Sequence, residues 1–194
     1  MNMHTPAEAK SHEEQMPNWM RRGLPGAGHT ALEPLVGTWD VHMSFYATFG
    51  RSPDEPPIVA EGSNCKRQLV AGGRYVEDLT EGTVMGAPYW RKGWLGYSNM
   101  DNRYEWITID GVNSNMMIYA GNAIAGGKVL TSMTGVFTDQ GVAGEQYVGK
   151  PVGMRTVITI ESNDRHIFEL YFKPPDKPEV LATRQAASRA CQSG

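Results

Sequence analysis

From Thr38 to Ala186 the chain is a succession of short segments with period-two alternation, and no helix long enough for a crossover interrupts them. The segments are 38–47, 58–70, 73–81, 89–97, 103–110, 115–121, 128–137, 153–162, 165–173 and 178–186. Each is rich in β-branched or aromatic residues and bounded by Gly, Pro, Asn or Asp. Gly72-Gly73, Asn99-Met100-Asp101-Asn102 and Ser162-Asn163-Asp164-Arg165 read as tight turns. Parallel neighbours need long crossovers, so the sheet is expected to be antiparallel. About ten strands in one meander most simply close into a barrel, which removes exposed edges. The expected fold is therefore all-β.

A short helix is predicted just ahead of the first strand, over His29 to Val36. Thr30 and Glu33 have capping-box spacing, Leu32, Leu35 and Val36 give an apolar face, and Gly37 ends it. In a meander alternate turns share an end. The connections 71–72, 98–102, 122–127 and 163–164 are compact or Gly-rich, and the helix joins at that end and can plug it. The connections 48–57, 82–88, 111–114, 138–152 and 174–177 then ring a mouth, with 48–57 and 138–152 as natural lids. The chain divides into an arm (1–27), a barrel domain (28–187) and a tail (188–194). The arm is expected to be helical around Ala7 to Met16 and carries an apolar patch at Pro17-Asn18-Trp19-Met20.

With 194 residues and 40% hydrophobic content, one domain with a sizeable core is expected. A net charge of −3 offers no basic excess for nucleic acid. No apolar run approaches the ~20 residues that span a membrane. The polar N-terminus lacks a secretory signal pattern, and Cys65 and Cys191 read as free thiols, so a reducing, cytoplasmic setting is expected. No metal-ligand spacing, nucleophile elbow or phosphate-binding glycine loop appears, so neither metal nor cofactor is expected.

One face of segment 103–110 carries Tyr104, Trp106, Thr108 and Asp110. Turned inward, this face would line a cup with two aromatics, a hydroxyl and a carboxylate, with Phe45, Met85, Met117 and Phe137 completing the wall. Asp110 has two readings: a desolvated general base or acid, or the cap of the Gly111-Val112-Asn113 turn. Arg155, near the mouth, either clamps an anionic group or pairs at the rim with Asp110 or Glu145. His166 shares a face with Phe168, Leu170 and Phe172 but falls at the plugged end, a poor place for a haem ligand. Tyr89, Trp90, Trp94 and Tyr97 crowd one strand, so some must lie outside, which favours a homodimer interface.

The ordered motifs Leu35-Val36-Gly37-Thr38-Trp39, Gly72-Gly73-Arg74-Tyr75, Met85-Gly86-Ala87-Pro88-Tyr89, Gly96-Tyr97, Ile109-Asp110, Tyr119-Ala120-Gly121, Arg155-Thr156-Val157, His166 to Tyr171 and Thr183-Arg184 resemble a bacterial domain-of-unknown-function family of the calycin, or lipocalin-like, group. The match spans roughly residues 28 to 186. The resemblance implies a lipocalin-like barrel with no assigned activity. It also implies that Trp39 faces inward against Arg184, which turns His42 outward with Asp40, Ser44 and Tyr46. The family pattern has a Trp where this chain has Thr108; here the Trp sits at Trp106, so the lining near the mouth is expected to be specialised.

Three functions fit the sequence. The first is a binder of a small, mostly apolar or aromatic molecule. The second is a cofactor-free isomerase, lyase or hydrolase acting in the same cup, with Asp110 as general base and Tyr104 or Arg155 steadying an oxyanion. The third is an interaction module that acts through the arm and Trp19.

Overall fold

The computed structural model describes residues 16–190. Two short helices, α1 (Asn18–Arg22) and α2 (Ala27–Thr30), and one turn of 3₁₀ helix (Glu33–Leu35) precede eleven strands. These are β1 (Gly37–Phe45), β2 (Ile58–Val59), β3 (Glu61–Val70), β4 (Tyr75–Val84), β5 (Ala87–Ser98), β6 (Arg103–Asp110), β7 (Met117–Asn122), β8 (Val129–Thr138), β9 (Pro151–Ser162), β10 (Arg165–Lys173) and β11 (Val180–Arg189). Ten long strands pair with their sequence neighbours, all antiparallel, and β11 closes back on β1 from Trp39↔Arg189 to Phe45↔Thr183. The fold is the expected all-β barrel with a helical entry. The two-residue β2 is an appendage on β1.

The entry differs from the expected single helix. Gly26, not Thr30, caps α2, and the His29 imidazole accepts the Gly26 backbone N–H at Nδ1 (3.0 Å). Pro34 falls in the following turn, where its ring prevents α2 from continuing and 3₁₀ geometry takes over. The plug nonetheless forms: Leu32 and Leu35 are fully buried, and Tyr104 donates to the Gly28 carbonyl (3.2 Å). Helix α1 is tied to the same end, with Asn99 donating to the Arg22 and Leu24 carbonyls and Arg74 to that of Gly23. Trp19 on α1 is exposed. The expected helix around Ala7 lies outside the described residues, as does Cys191.

Trp39 is buried with its indole N–H on the Leu35 carbonyl (3.0 Å). The guanidinium over its ring belongs to Arg189 (4.4 Å), not Arg184. Strand β11 runs three residues past the expected end, so the arginine opposite Trp39 in the register is Arg189. Arg184 lies level with Ser44 and pairs with Glu169 (3.4 Å). His42 faces outward. The connection expected at 82–88 is also shorter, because β4 and β5 run on to a two-residue Met85-Gly86 hairpin with both φ angles positive (53° and 78°).

Candidate functional site

Inward-facing residues follow the pleat: Trp39, Val41, Met43 and Phe45 on β1; Tyr104, Trp106 and Thr108 on β6; Met117 and Tyr119 on β7; Val152, Met154, Thr156 and Ile158 on β9. Near the plug this filling is complete, leaving a void of about 10 Å³ among Leu35, Val76, Leu95, Trp106 and Phe168. Toward the other end the core opens into a cavity of about 60 Å³. Its apolar wall includes Phe45, Tyr89, Trp106, Met117, Tyr119 and Phe168. Its polar groups include Arg91, Thr108, Asp110, Asn113, Thr156 and Gln185.

Two lids cover this end. In 46–57, Phe49 adopts a left-handed backbone (φ 55°), a conformation bulky side chains seldom take. Its ring packs on Phe45 (5.0 Å) over the cavity. In 139–150, the buried Asp139 carboxylate caps the turn by accepting the backbone N–H groups of Gly141, Val142 and Ala143 (2.8–3.1 Å). That turn delivers Val142 to the cavity wall. Outside Phe49 lies a cleft of about 660 Å³, bounded by the two lids and 172–180. Phe49 and Phe172 line both spaces, so these rings separate the inner cavity from the outer cleft.

Of the residues expected to line the cup, Phe45, Trp106, Thr108 and Met117 do so. Met85 does not: it sits exposed in the β4–β5 hairpin. Phe137 is buried behind Phe172 (5.2 Å) rather than on the cavity surface. Tyr104 sits at the plugged end, six residues and about 20 Å down the strand from Asp110. Arg155 is on the outer face of β9, where it clamps Glu179 with three hydrogen bonds and stacks on Tyr171 (4.1 Å). Asp110 reaches the cavity rim, but its carboxylate is the cap of the next turn. Oδ1 accepts from the Val112 and Asn113 backbone (2.8 and 2.7 Å), and the Asn113 amide donates to both oxygens.

Sequence reasoning missed the ionic layer between plug and cavity. Asp78 on β4 is buried and meets two arginines: Arg91 Nη2 donates to its Oδ2 (2.8 Å), and Arg67 Nε stands 3.8 Å from the same oxygen. Gly93 makes room for this layer. A Cβ there would come within 2.8 Å of Asp78 Oδ1 and 2.7 Å of the Trp106 indole nitrogen. Arg67 also donates to His166 Nε2, and its guanidinium lies over Phe168 (4.6 Å). His166 sits edge-on to Trp39 (4.3 Å between centroids). Burial, then the charges of Arg67 and Arg189, hold the His166 pKa down to about 3, so the imidazole is neutral and serves as an acceptor. Burial pushes the Tyr89 and Tyr119 phenols far above their ordinary value, so both keep their protons.

No group of three or more His, Cys, Asp or Glu side chains among the described residues has metal-site geometry. No helix among them is long and apolar enough to cross a membrane. On the outside, Trp94, Ile107 and Ile118 form a shallow apolar groove with Tyr75, and Trp90 is exposed beside it.

The barrel is similar to the crystal structure of Rv2717c from M. tuberculosis, with a TM-score of 0.56 at 16% identity, over 86% of this chain and 99% of that one. It is also similar to the S-type phycobiliprotein lyase CPES from Guillardia theta, with a TM-score of 0.54 at 12% identity, over 95% of this chain and 100% of that one. Identities this low establish the lipocalin-like fold alone. No curated protein matches the chain. Residues 24–189, which hold α2, the 3₁₀ turn and all eleven strands, match one family, and the chain belongs to it: the family described as protein of unknown function, DUF1579.

Proposed function

We propose that this protein binds a small, mostly apolar or aromatic molecule at the lidded end of the barrel. The observation that carries the reading is the uneven filling of the bore. It is packed solid at the plug and hollow at the mouth, where the hollow is walled by aromatics with a few polar groups among them. A space of about 60 Å³ holds several waters or a small group. A larger ligand would displace Phe49 and extend into the outer cleft. The similarity to a phycobiliprotein lyase is consistent with a barrel of this shape serving small-molecule chemistry.

Catalysis built on the expected residues has less support. Asp110 is engaged by its own turn, Tyr104 lies at the opposite end, and Arg155 is outside. No two of the three meet around one substrate.

The test uses the neutral dye N-phenyl-1-naphthylamine. Saturable, single-site fluorescence enhancement is expected. Met117→Trp, which fills the cavity from its wall, should weaken binding by at least about tenfold while circular dichroism stays β-rich. Equal affinity in the filled variant would place the dye elsewhere and defeat the reading.

A further inference from the structure

We propose that the molecule held in the cup carries a carboxylate, received by Arg91 together with the hydroxyls of Thr156 and Tyr119. This rests on the cup reading above and gives it a ligand class.

Among the described residues, Arg91 is the only basic one on the cavity wall. A guanidinium has five N–H donors, and among the described residues this one commits a single donor, Nη2, to Asp78. Its Nε is buried and unpartnered. Asp78 is itself shared with Arg67, so one carboxylate serves two buried guanidinium groups. Asp110 lies beside Arg91 in the β5–β6 register yet makes no ion pair with it, because both its oxygens are turned to residues 112–113. The Arg91 guanidinium carbon also lies over the Trp106 ring (5.1 Å to its centroid), a cation–π contact that holds it at the wall.

Other donors on the wall are unspent. Thr156 is buried, and its hydroxyl has no partner. The buried Gln185 amide makes only a long contact to Met43 Sδ (3.9 Å), leaving its Oε1 unpartnered; a rotated amide would present N–H there. The Tyr119 hydroxyl contacts Met117 Sδ (3.4 Å) and lies beside the hydroxyls of Thr108 and Thr156 and close to Arg91, so the three hydroxyls and the guanidinium form one polar cluster on the wall. Unsatisfied buried donors are costly, and these face one enclosed, aromatic-walled space. A planar monoanion satisfies them together. A dianion would bring a second charge toward Asp110 and Asp78 with no second cation on the wall to meet it.

The experiment measures Kd by calorimetry for four probes on one frame: trans-cinnamate, cinnamamide, cinnamylamine and styrylphosphonate. Cinnamate should bind about tenfold or more tighter than cinnamamide, with the amine and the phosphonate weaker than cinnamate. Arg91→Gln should erase the preference of cinnamate over cinnamamide. Thr156→Val removes one hydroxyl and no charge, so it should fold even where Arg91→Gln does not, and should shrink that preference about three- to tenfold. Cinnamamide or cinnamylamine binding as tightly as cinnamate would overturn the proposal while leaving the cup intact, as would a preference untouched by Thr156→Val. Tighter styrylphosphonate would replace the carboxylate by a phosphoryl group. If neither the naphthylamine dye nor any cinnamyl probe binds, the cup reading falls as well.

Discussion

The two ends of this barrel differ in what surrounds their buried polar groups: packed side chains at the plug, a hollow at the mouth. At the plug, the Trp39 indole meets the Leu35 carbonyl, Arg67 meets His166, and Arg189 covers Trp39 while holding Asp164 (2.9 Å), although Arg67 Nε and His166 Nδ1 stay without hydrogen-bond partners in the packed interior. At the mouth, Thr156, Gln185 and Arg91 keep unpartnered atoms around a hollow, and the covering loops are held by side-chain caps at Asp110 and Asp139. A buried polar group without a partner costs stability at either end, but only at the mouth do such groups border a hollow of about 60 Å³ that a small group can enter. The plug is where the fold is secured.

The largest effect should come from breaking the ionic layer between the two ends. Asp78→Asn leaves two buried guanidinium groups with no carboxylate and should cost about 3–5 kcal/mol in urea unfolding. Arg67→Met leaves a one-to-one pair between Arg91 and Asp78 and should cost clearly less. Trp39→Ala at the plug should match the aspartate, at about 3–5 kcal/mol, through lost packing. If Asp78→Asn proves as mild as Arg67→Met, the layer is not short of negative charge, and the contrast between the ends loses its electrostatic half.

Acid should act on the plug next. The native His166 pKa lies at about 3, below the ordinary value near 6.5. Below pH ~6.5 the unfolded chain takes up a proton that the folded chain refuses, so stability is complete above that pH and falls as pH drops toward 3. Between pH ~6.5 and ~5 the loss should approach about 1.4 kcal/mol per unit. Glu77 and Glu179, whose carboxyls are held below their ordinary values by Lys92 and Arg155, titrate lower and stay out of this window. His29, also held low by burial, shares it. His166→Gln keeps an acceptor for Arg67 but cannot titrate, so its stability should change less over this range. A slope equal to the parent's would show that another group carries the proton.

The same contrast explains what was legible in the chain. Period two placed Tyr104, Trp106 and Thr108 inside, because β6 alternates them with Glu105 and Ile107, and loop lengths marked the mouth. Strand β9 offered no such contrast: Thr156 and Ile158 face Val157 and Thr159 across the strand, so the phase of Arg155 could not be read. Nothing in the sequence around Arg91, flanked by Trp90 and Lys92, marks it for the interior. Only its meeting with Asp78, thirteen positions away, turns it inward. Arg67 and His166 stand 99 residues apart and become partners only when the barrel closes. Charges that pair across the bore leave no local signature. Met85 misled for a different reason, since nothing in its side chain announces a left-handed turn residue.

The smallest expected effect is the most telling about the mouth. Thr156→Val exchanges a buried, unpartnered hydroxyl for a methyl group of nearly the same shape. Such an exchange at the plug would break a hydrogen bond and destabilise. Here it removes a desolvation penalty, so urea unfolding should show a change within about 0.5 kcal/mol, or a gain. A loss near 2 kcal/mol would mean that the hydroxyl has a partner in solution, such as a bound water shared with Arg91. The Thr156 hydroxyl would then be satisfied already and would not be waiting for a ligand. Paired with the cinnamate titration, the variant separates the two costs: a side chain that contributes nothing to folding yet governs affinity for an anion is held there for the ligand.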